Sequence, residues 1–169
     1  MAEKIESTGI PSREQIEACL PSETRRKSGP YAIMECWQRI PCDPCVAACP
    51  FGFIAPMENI NDLPKLDKEA CTGCGNCIAL CPGLAIFVID ETWGDADRAL
   101  IRIPYEFAPL PEKGQIVRAL DRAGNFIAEA EVVRIQKTKS ATTILHLNIP
   151  KQFLLDIRAI EPLPMRISG

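Results

Sequence analysis

The placement of cysteine is the feature that most restricts what this chain can fold into. Nine of the 169 residues are cysteine, and all nine lie before residue 82. Six of them form two copies of one motif, 32 positions apart: Cys42-x-x-Cys45-x-x-x-Cys49-Pro50 and Cys74-x-x-Cys77-x-x-x-Cys81-Pro82. Such a repeat predicts two small units that pack together, because neither unit could bury much surface alone.

Composition and charge exclude several classes of protein. Apolar residues make up 47% of the chain and charged residues 24%, which is typical of a globular protein. A net charge of −3 argues against binding to nucleic acid through phosphate neutralisation. No secretory signal opens the sequence, and the longest apolar stretch, residues 84–89, is too short to span a bilayer. We therefore expect a cytoplasmic protein with no membrane span, whose thiols are not a disulfide scaffold.

Charge and cysteine content both change near residue 90. Residues 1–90 carry a net charge of −4 and residues 91–169 a net charge of +1. This division predicts an N-terminal extension at 1–30, a cysteine-rich domain at 31–92 and a second domain at 98–169. The basic run Arg25-Arg26-Lys27 in the extension is interpreted as a solvated loop, with docking to an acidic partner as the alternative.

Local patterns predict an α+β chain. A short helix is expected at 12–20 with Ser12 as its N-cap, and short extended segments are expected beside each cysteine cluster, at 31–34, 53–55, 65–67 and 85–89. After residue 97 the pattern becomes strand-like, with strands near 100–103, 116–120, 126–135 and 142–149, and a helix is expected at 150–160. These strands predict a small antiparallel β-barrel or sandwich.

The segment Cys71-x-x-Cys74-x-x-Cys77-x-x-x-Cys81-Pro82 carries the most specific chemistry. Three thiolates at this spacing can surround one face of an iron–sulfur cubane, while the fourth points elsewhere. Gly73 and Gly75 allow the backbone to approach the sulfurs closely. Pro82 disfavours helical geometry at the residue before it.

This segment resembles the bacterial-type ferredoxins that hold two 4Fe–4S clusters. The resemblance implies a ferredoxin-like, pseudo-two-fold dicluster module in which the last cysteine of each motif serves the other cluster. Cluster 1 would be held by Cys42, Cys45 and Cys81, together with a fourth ligand from the first motif. Cluster 2 would be held by Cys71, Cys74, Cys77 and Cys49.

The first motif departs from the ferredoxin pattern at one position. The residue equivalent to Cys71 is Arg39, which cannot bind iron, and Cys36 lies three residues earlier. We favour Cys36 as the fourth ligand of cluster 1, since ligand loops vary in length. The alternative is a three-iron or labile cluster with Cys36 as an ordinary thiol.

Zinc is the alternative metal for the same eight cysteines. Two four-thiolate zinc sites would also use all of them, and pairs of cysteines two residues apart are common in zinc sites. The third cysteine in each series, the following proline and the two-fold repeat favour iron–sulfur clusters. On the zinc interpretation, the chain would be an interaction module with no redox role.

The resemblance implies a non-catalytic electron-transfer subunit of an oxidoreductase. The chain is also similar to small iron–sulfur subunits of bacterial flavin dehydrogenases that act on amino acids such as proline, hydroxyproline or sarcosine. Two segments carry this similarity: Glu35-Cys36-Trp37-Gln38-Arg39-Ile40-Pro41-Cys42-Asp43-Pro44-Cys45 and Ile60-Asn61-Asp62-Leu63-Pro64. That similarity implies a flavoprotein partner in a hetero-oligomer, with the β-rich domain used for docking or assembly. A stand-alone, low-potential ferredoxin with an accessory β domain is the alternative.

Overall fold

A computed structural model describes residues 5–164, and it is built around one antiparallel sheet. The sheet has seven strands in the order β1-β2-β3-β6-β5-β4-β7. The strands are β1 (Tyr31–Met34), β2 (Ile86–Asp90), β3 (Arg98–Tyr105), β4 (Ile116–Leu120), β5 (Phe126–Lys137), β6 (Thr143–Pro150) and β7 (Ala159–Ile160). The helices are α1 (Ile5–Thr8), α2 (Arg13–Ala18), α3 (Glu23–Arg26), α4 (Pro44–Ala48) and α5 (Asn76–Leu80), with a 3-10 helix at Lys151–Phe153.

The N-terminal extension forms short helices whose starts are encoded locally. Ser12 caps α2: its side chain accepts a hydrogen bond from the Gln15 N–H, and the Gln15 side chain accepts one from the Ser12 N–H. This reciprocal arrangement satisfies two backbone donors that a helix leaves free at its start. The predicted helix at 12–20 is confirmed over Arg13–Ala18.

The internal repeat appears in the structure as two matching helices. Helices α4 and α5 have five residues each, and each is followed by a cysteine in extended geometry. Between them, an isolated antiparallel bridge pairs Ile54 with Leu66, inside the two segments predicted to be extended. The repeat therefore folds as expected from its 32-residue offset.

Strands from both sides of residue 92 belong to the same sheet. Strand β1 pairs with β2, and β2 pairs with β3 through Val88 opposite Arg102 and Ile89 opposite Ile101. Successive strand residues face opposite sides of a sheet. Ile33, Phe87 and Ile89 thus pack into a core with strands β3–β7, whereas Ala32, Ile86 and Val88 pack against the cysteines.

The predicted barrel or sandwich after residue 97 is wrong. Strands β3–β7 continue the sheet begun by β1 and β2, and the sheet does not close: β1 and β7 lie at its two ends. The physical reason is that β2 is buried, so its backbone groups need hydrogen-bond partners at both edges: β1 pairs with one edge and β3 with the other, and β3 joins the later strands through β6. The predicted strands at 116–120, 126–135 and 142–149 do form, as β4, β5 and β6.

The helix predicted at 150–160 is also wrong. Only the single 3-10 turn Lys151–Phe153 forms, and Ala159–Ile160 pairs with β4 as strand β7. Within residues 5–164, no helix combines the length and the apolar character that crossing a membrane requires.

Candidate metal centre

Four cysteines line one cavity between the two motifs, here called the Cys71 cavity. Its thiols come from Cys49, Cys71, Cys74 and Cys77, and its other walls are largely apolar, including Ala32, Ile54 and Leu66. Cys71 and Cys77 are buried, whereas Cys74 is exposed. The structure therefore brings together the four residues that were predicted to hold cluster 2.

A second cavity, here called the Cys36 cavity, has an equivalent set of thiols. They come from Cys36, Cys42, Cys45 and Cys81, with Met34, Met57 and Ile86 among the apolar walls. Arg39 does not line this cavity; its guanidinium lies 3.5 Å from the carboxylate of Asp62, near the surface. The cysteine at the irregular position thus lies with the other three predicted members of its set.

The last cysteine of each motif lies in the cavity of the other motif because its helix ends there. Cys49 follows α4 with φ −84° and ψ 104°, and Cys81 follows α5 with φ −79° and ψ 109°. A following proline disfavours helical geometry at the preceding residue, and both cysteines are followed by proline. The resulting turn directs each chain away from its own helix.

Glycine is required where the Cys71 loop passes the N-terminal extension. Gly73 has φ +64°, and a Cβ atom built there would lie 2.5 Å from the carbonyl carbon of Pro30. Gly75, with φ +88°, is the N-cap residue directly before α5. Both positions use backbone geometry that other residues adopt only at a cost.

Backbone N–H groups point at several of the sulfurs. The Gly73 N–H donates to Cys71 Sγ and the Ala85 N–H donates to Cys81 Sγ, each at 3.4 Å. Burial by itself would raise the pKa of the Cys49 thiol. Hydrogen bonds from the backbone N–H groups of residues 51–54 outweigh burial, so this pKa lies below its ordinary value. Such donors stabilise negative charge on sulfur.

Two of the buried thiols lie in surroundings that disfavour their thiolate form unless a cationic centre is bound. Burial, together with the charges of neighbouring cysteines, raises the pKa of Cys77 to about 12 and that of Cys45 to about 11. Four thiolates around one apolar cavity repel each other, and a bound metal centre removes that cost. Eight soft sulfur donors, apolar walls and N–H groups directed at sulfur fit iron–sulfur clusters.

Outside the two cavities, we looked for single-ion metal sites and for the position of the ninth cysteine. Within the part of the chain that the structure describes, no three His, Cys, Asp or Glu side chains are arranged to hold a single metal ion. Cys19 lines neither cavity; its thiol donates to the Met34 carbonyl oxygen at 3.3 Å. Zinc as the alternative metal stays a prediction for metal analysis.

Two charged groups beside the cavities could not be recognised from the sequence. Arg25 contacts the carbonyl oxygens of Pro30 and Cys71, and Arg102 donates to the carbonyl oxygen of Gly73 at 2.9 Å. The interpretation of 25–27 as a solvated loop is wrong for its first two residues, since Arg26 pairs with the largely buried Glu91 at 2.6 Å. Each of these arginines has a partner that is 29 to 65 residues away along the chain: Cys71, Glu91 and Gly73. No spacing rule could have indicated contacts between residues so far apart in sequence.

Glu35, directly before Cys36, also has charged partners that are distant along the chain. Its carboxylate accepts hydrogen bonds from the Nε atoms of Arg122, at 2.7 Å, and Arg158, at 2.8 Å. The Glu35 N–H donates to the Ala85 carbonyl oxygen at 2.8 Å. Residues of the C-terminal segment therefore hold the backbone that leads into Cys36.

Comparison with known proteins shows what this site is similar to. Residues 21–85 match the family model described as a 4Fe–4S dicluster domain, so this part of the chain is similar to iron–sulfur domains of that type. The family model spans both cavities, and it ends before the strands β3–β7.

Curated relatives match over short segments. The chain is 43% identical over 47 residues to one component of the Na⁺-translocating ferredoxin:NAD⁺ oxidoreductase complex of Acetobacterium woodii, covering 28% of this chain and 14% of that protein. It is 48% identical over 42 residues to the beta chain of the dissimilatory-type sulfite reductase of Archaeoglobus fulgidus, covering 25% and 11%. It is 29% identical over 92 residues to PhsB, the electron transfer subunit of the thiosulfate reductase of Salmonella typhi, covering 52% and 44%. The chain thus spans less than half the length of each of these relatives, and no solved structure matches it.

Proposed function

We propose that this chain is a non-catalytic electron-transfer subunit of an oxidoreductase complex, holding two 4Fe–4S clusters. Cys36, Cys42, Cys45 and Cys81 would hold cluster 1, and Cys49, Cys71, Cys74 and Cys77 would hold cluster 2. Each bound cluster would supply a centre that accepts and releases one electron at a time. The three relatives named above, all components of redox enzymes or complexes by their names, support this assignment.

The observation that carries the proposal is the exchange of cysteines between the two cavities. Cys49 lines the cavity of the second motif, and Cys81 lines the cavity of the first. Two-cluster ferredoxins use the fourth cysteine of each motif in this way, whereas two independent zinc sites have no need of it. The N–H groups directed at Cys71 and Cys81 favour the charge of a reduced cluster.

Cys36 is proposed as the fourth ligand of cluster 1 in place of Arg39. Three contacts support this: Cys36 lines the same cavity as its three partners, Arg39 pairs with Asp62, and the buried carboxylate of Glu35 anchors the loop. The alternative of a three-iron or labile cluster predicts that Cys36 has no effect on iron content.

The partner is proposed to be a flavoprotein in a hetero-oligomer, and the location the cytoplasm. A flavin releases two electrons, and a cluster held by the thiols of each cavity would accept them one at a time. The finer assignment, to an amino-acid dehydrogenase, rests on the sequence of segments 35–45 and 60–64, because the relatives named above carry names of reductase and ion-translocating complexes. Segment 98–169 is proposed to serve assembly.

Metal and sulfide analysis of the anaerobically purified chain tests the cofactor. We expect about eight iron and eight acid-labile sulfide per chain, and a brown colour that dithionite bleaches reversibly. A colourless protein that contains zinc and no labile sulfide would overturn the proposal in favour of an interaction module.

Isolation of the native protein tests the partner. We expect a complex that contains a flavin-bearing protein, identified by its absorbance and by mass spectrometry. A brown monomer without a flavoprotein would retain the clusters but support a stand-alone ferredoxin with an accessory β segment.

A further inference from the structure

Positive charge is held against the loop that forms the Cys71 cavity. On one side, Arg25 contacts the carbonyl oxygens of Pro30 and Cys71. The same guanidinium reaches the Gly29 carbonyl oxygen and Ser28 Oγ, each at 3.2 Å. All of these acceptors are neutral, so the hydrogen bonds fix the position of the charge without cancelling it.

Arg102 holds the same loop from the sheet. Its Nη1 donates to the carbonyl oxygen of Gly73 at 2.9 Å and contacts that of Cys74 at 3.4 Å. Its Nε is buried and has no hydrogen-bond partner in the described part of the chain. The guanidinium is therefore partly removed from water, where its electric field is screened less.

Neither arginine has a carboxylate within ion-pair distance among residues 5–164. The nearby acids are Glu69 and Asp90. The pKa of Glu69 is lowered mainly by its hydrogen bonds to Ser22 and least by the charge of Arg25, and Asp90 attracts Arg102 over a longer distance. Glu69 binds Ser22, and Asp90 accepts hydrogen bonds from Thr92. Two cations thus contact the Cys71 loop directly, and their counter-charges lie farther away.

The charges around the Cys36 cavity largely offset one another. Asp62, which lines this cavity, pairs with Arg39, and Asp43 is adjacent to Cys42 in the chain. Arg122 and Arg158 both pair with the carboxylate of Glu35, the residue before Cys36. The side chains around this cavity therefore offer less net positive charge than those around the Cys71 cavity.

We propose that Arg25 and Arg102 are positioning residues that make the cluster of the Cys71 cavity the first of the two to be reduced. The inference rests on the proposed function. Reduction adds one negative charge to a cluster, so a fixed cation nearby stabilises the reduced state and raises the reduction potential. Because Arg25 belongs to α3 and Arg102 to β3, both the N-terminal extension and the C-terminal segment contribute to the order in which the two clusters are reduced.

A redox titration of the anaerobically purified chain, followed by electron paramagnetic resonance, tests the proposal. The signal of the Cys71 cavity is identified as the one whose shape changes in Cys74→Ser. In the unmodified chain this signal should appear at the higher potential. In Arg102→Gln, the ratio of reduced to oxidised cluster in the Cys71 cavity, at a fixed potential, should fall by about three- to tenfold. A tenfold change corresponds to a shift of about 59 mV in the reduction potential.

Two further variants separate charge from structure. Arg102→Lys keeps the cation and should restore most of the potential, whereas a purely structural role would leave Lys as defective as Gln. Arg98→Gln is the matched control, since Arg98 is also a half-buried arginine of β3 but binds Asn148 instead of the cysteine loop. It should leave both potentials unchanged. If Arg102→Gln loses its iron, the same titration is made on Arg25→Gln.

The outcomes distinguish this inference from the proposed function. Absence of labile sulfide would overturn the proposed function itself. Two clusters whose potentials are unchanged or equally shifted in Arg102→Gln would overturn only the inference, as would earlier reduction of the Cys36-cavity signal in the unmodified chain. A shift confined to the signal that Cys74→Ser changes would support it.

Discussion

The buried carboxylate of Glu35 should contribute more to stability than any exposed ion pair of this chain. Glu35 is 6% exposed, and its partners Arg122 and Arg158 are 12% and 4% exposed. Burial lowers the pKa of Arg158 to about 10, and the charge of Glu35 opposes that decrease. The change Glu35→Ala would leave two cations buried without a counter-ion, which costs about 3–5 kcal/mol. For a chain of this size, that corresponds to a melting temperature lower by roughly 6–20 °C.

Thermal unfolding of the anaerobic, iron-loaded chain, followed by circular dichroism, measures this effect. The matched control is Glu161→Ala, which removes the pair between Arg118 Nε and Glu161 Oε2 at 2.6 Å. Both of its side chains are more than half exposed, so its loss should cost about 0–1 kcal/mol. A decrease in Glu35→Ala no larger than in Glu161→Ala would refute the reasoning that the buried pair dominates.

Three further changes give distinct expected results. Cys36→Ala should lower the iron content and change the spectrum of one cluster only, as measured by metal analysis and paramagnetic resonance; unchanged iron and spectra would exclude it as a ligand. Gly73→Ala should reduce iron binding at the Cys71 cavity, because the added Cβ would meet the Pro30 backbone at 2.5 Å. Glu91→Gln should cost about 1–3 kcal/mol at pH 7 in urea unfolding. Burial alone would raise the pKa of Glu91, but its hydrogen-bond partners lower it, so this stability is present above the unfolded pKa and the difference should shrink below about pH 4. A difference that grew on acidification would contradict this sign.

Two of these changes have controls within the same chain. Cys19→Ala removes a thiol that lines neither cavity, and it should leave the iron content unchanged. Gly83→Ala adds a Cβ with no atom within 4 Å and with no positive φ, so iron binding should be retained. Loss of iron in either control would mean that the corresponding change acts through general misfolding.

Short-range sequence patterns were sufficient to predict several helices and strands at their observed positions. The 32-residue repeat predicted two equivalent units, and α4 and α5 begin 32 residues apart. The N-cap at Ser12 and strands β1 and β4 were also predicted at their observed positions, since neighbouring residues determine a helix start and a strand's alternation. The ligand sets were assigned by resemblance, and the thiols of each set line one cavity.

By itself, then, the sequence determined the two cysteine motifs and their prolines, and it predicted iron–sulfur clusters as the metal centre, because spacing along the chain sets which thiols can face a common centre. Only the tertiary structure decided that β3–β7 extend the sheet of β1 and β2, and that Arg25, Arg102 and Glu35 lie beside the cysteine loops. The physical reason is that strand pairing and buried charge pairing depend on which surfaces meet after folding. An arginine in a strand has the same local pattern whether it faces water or a cysteine loop.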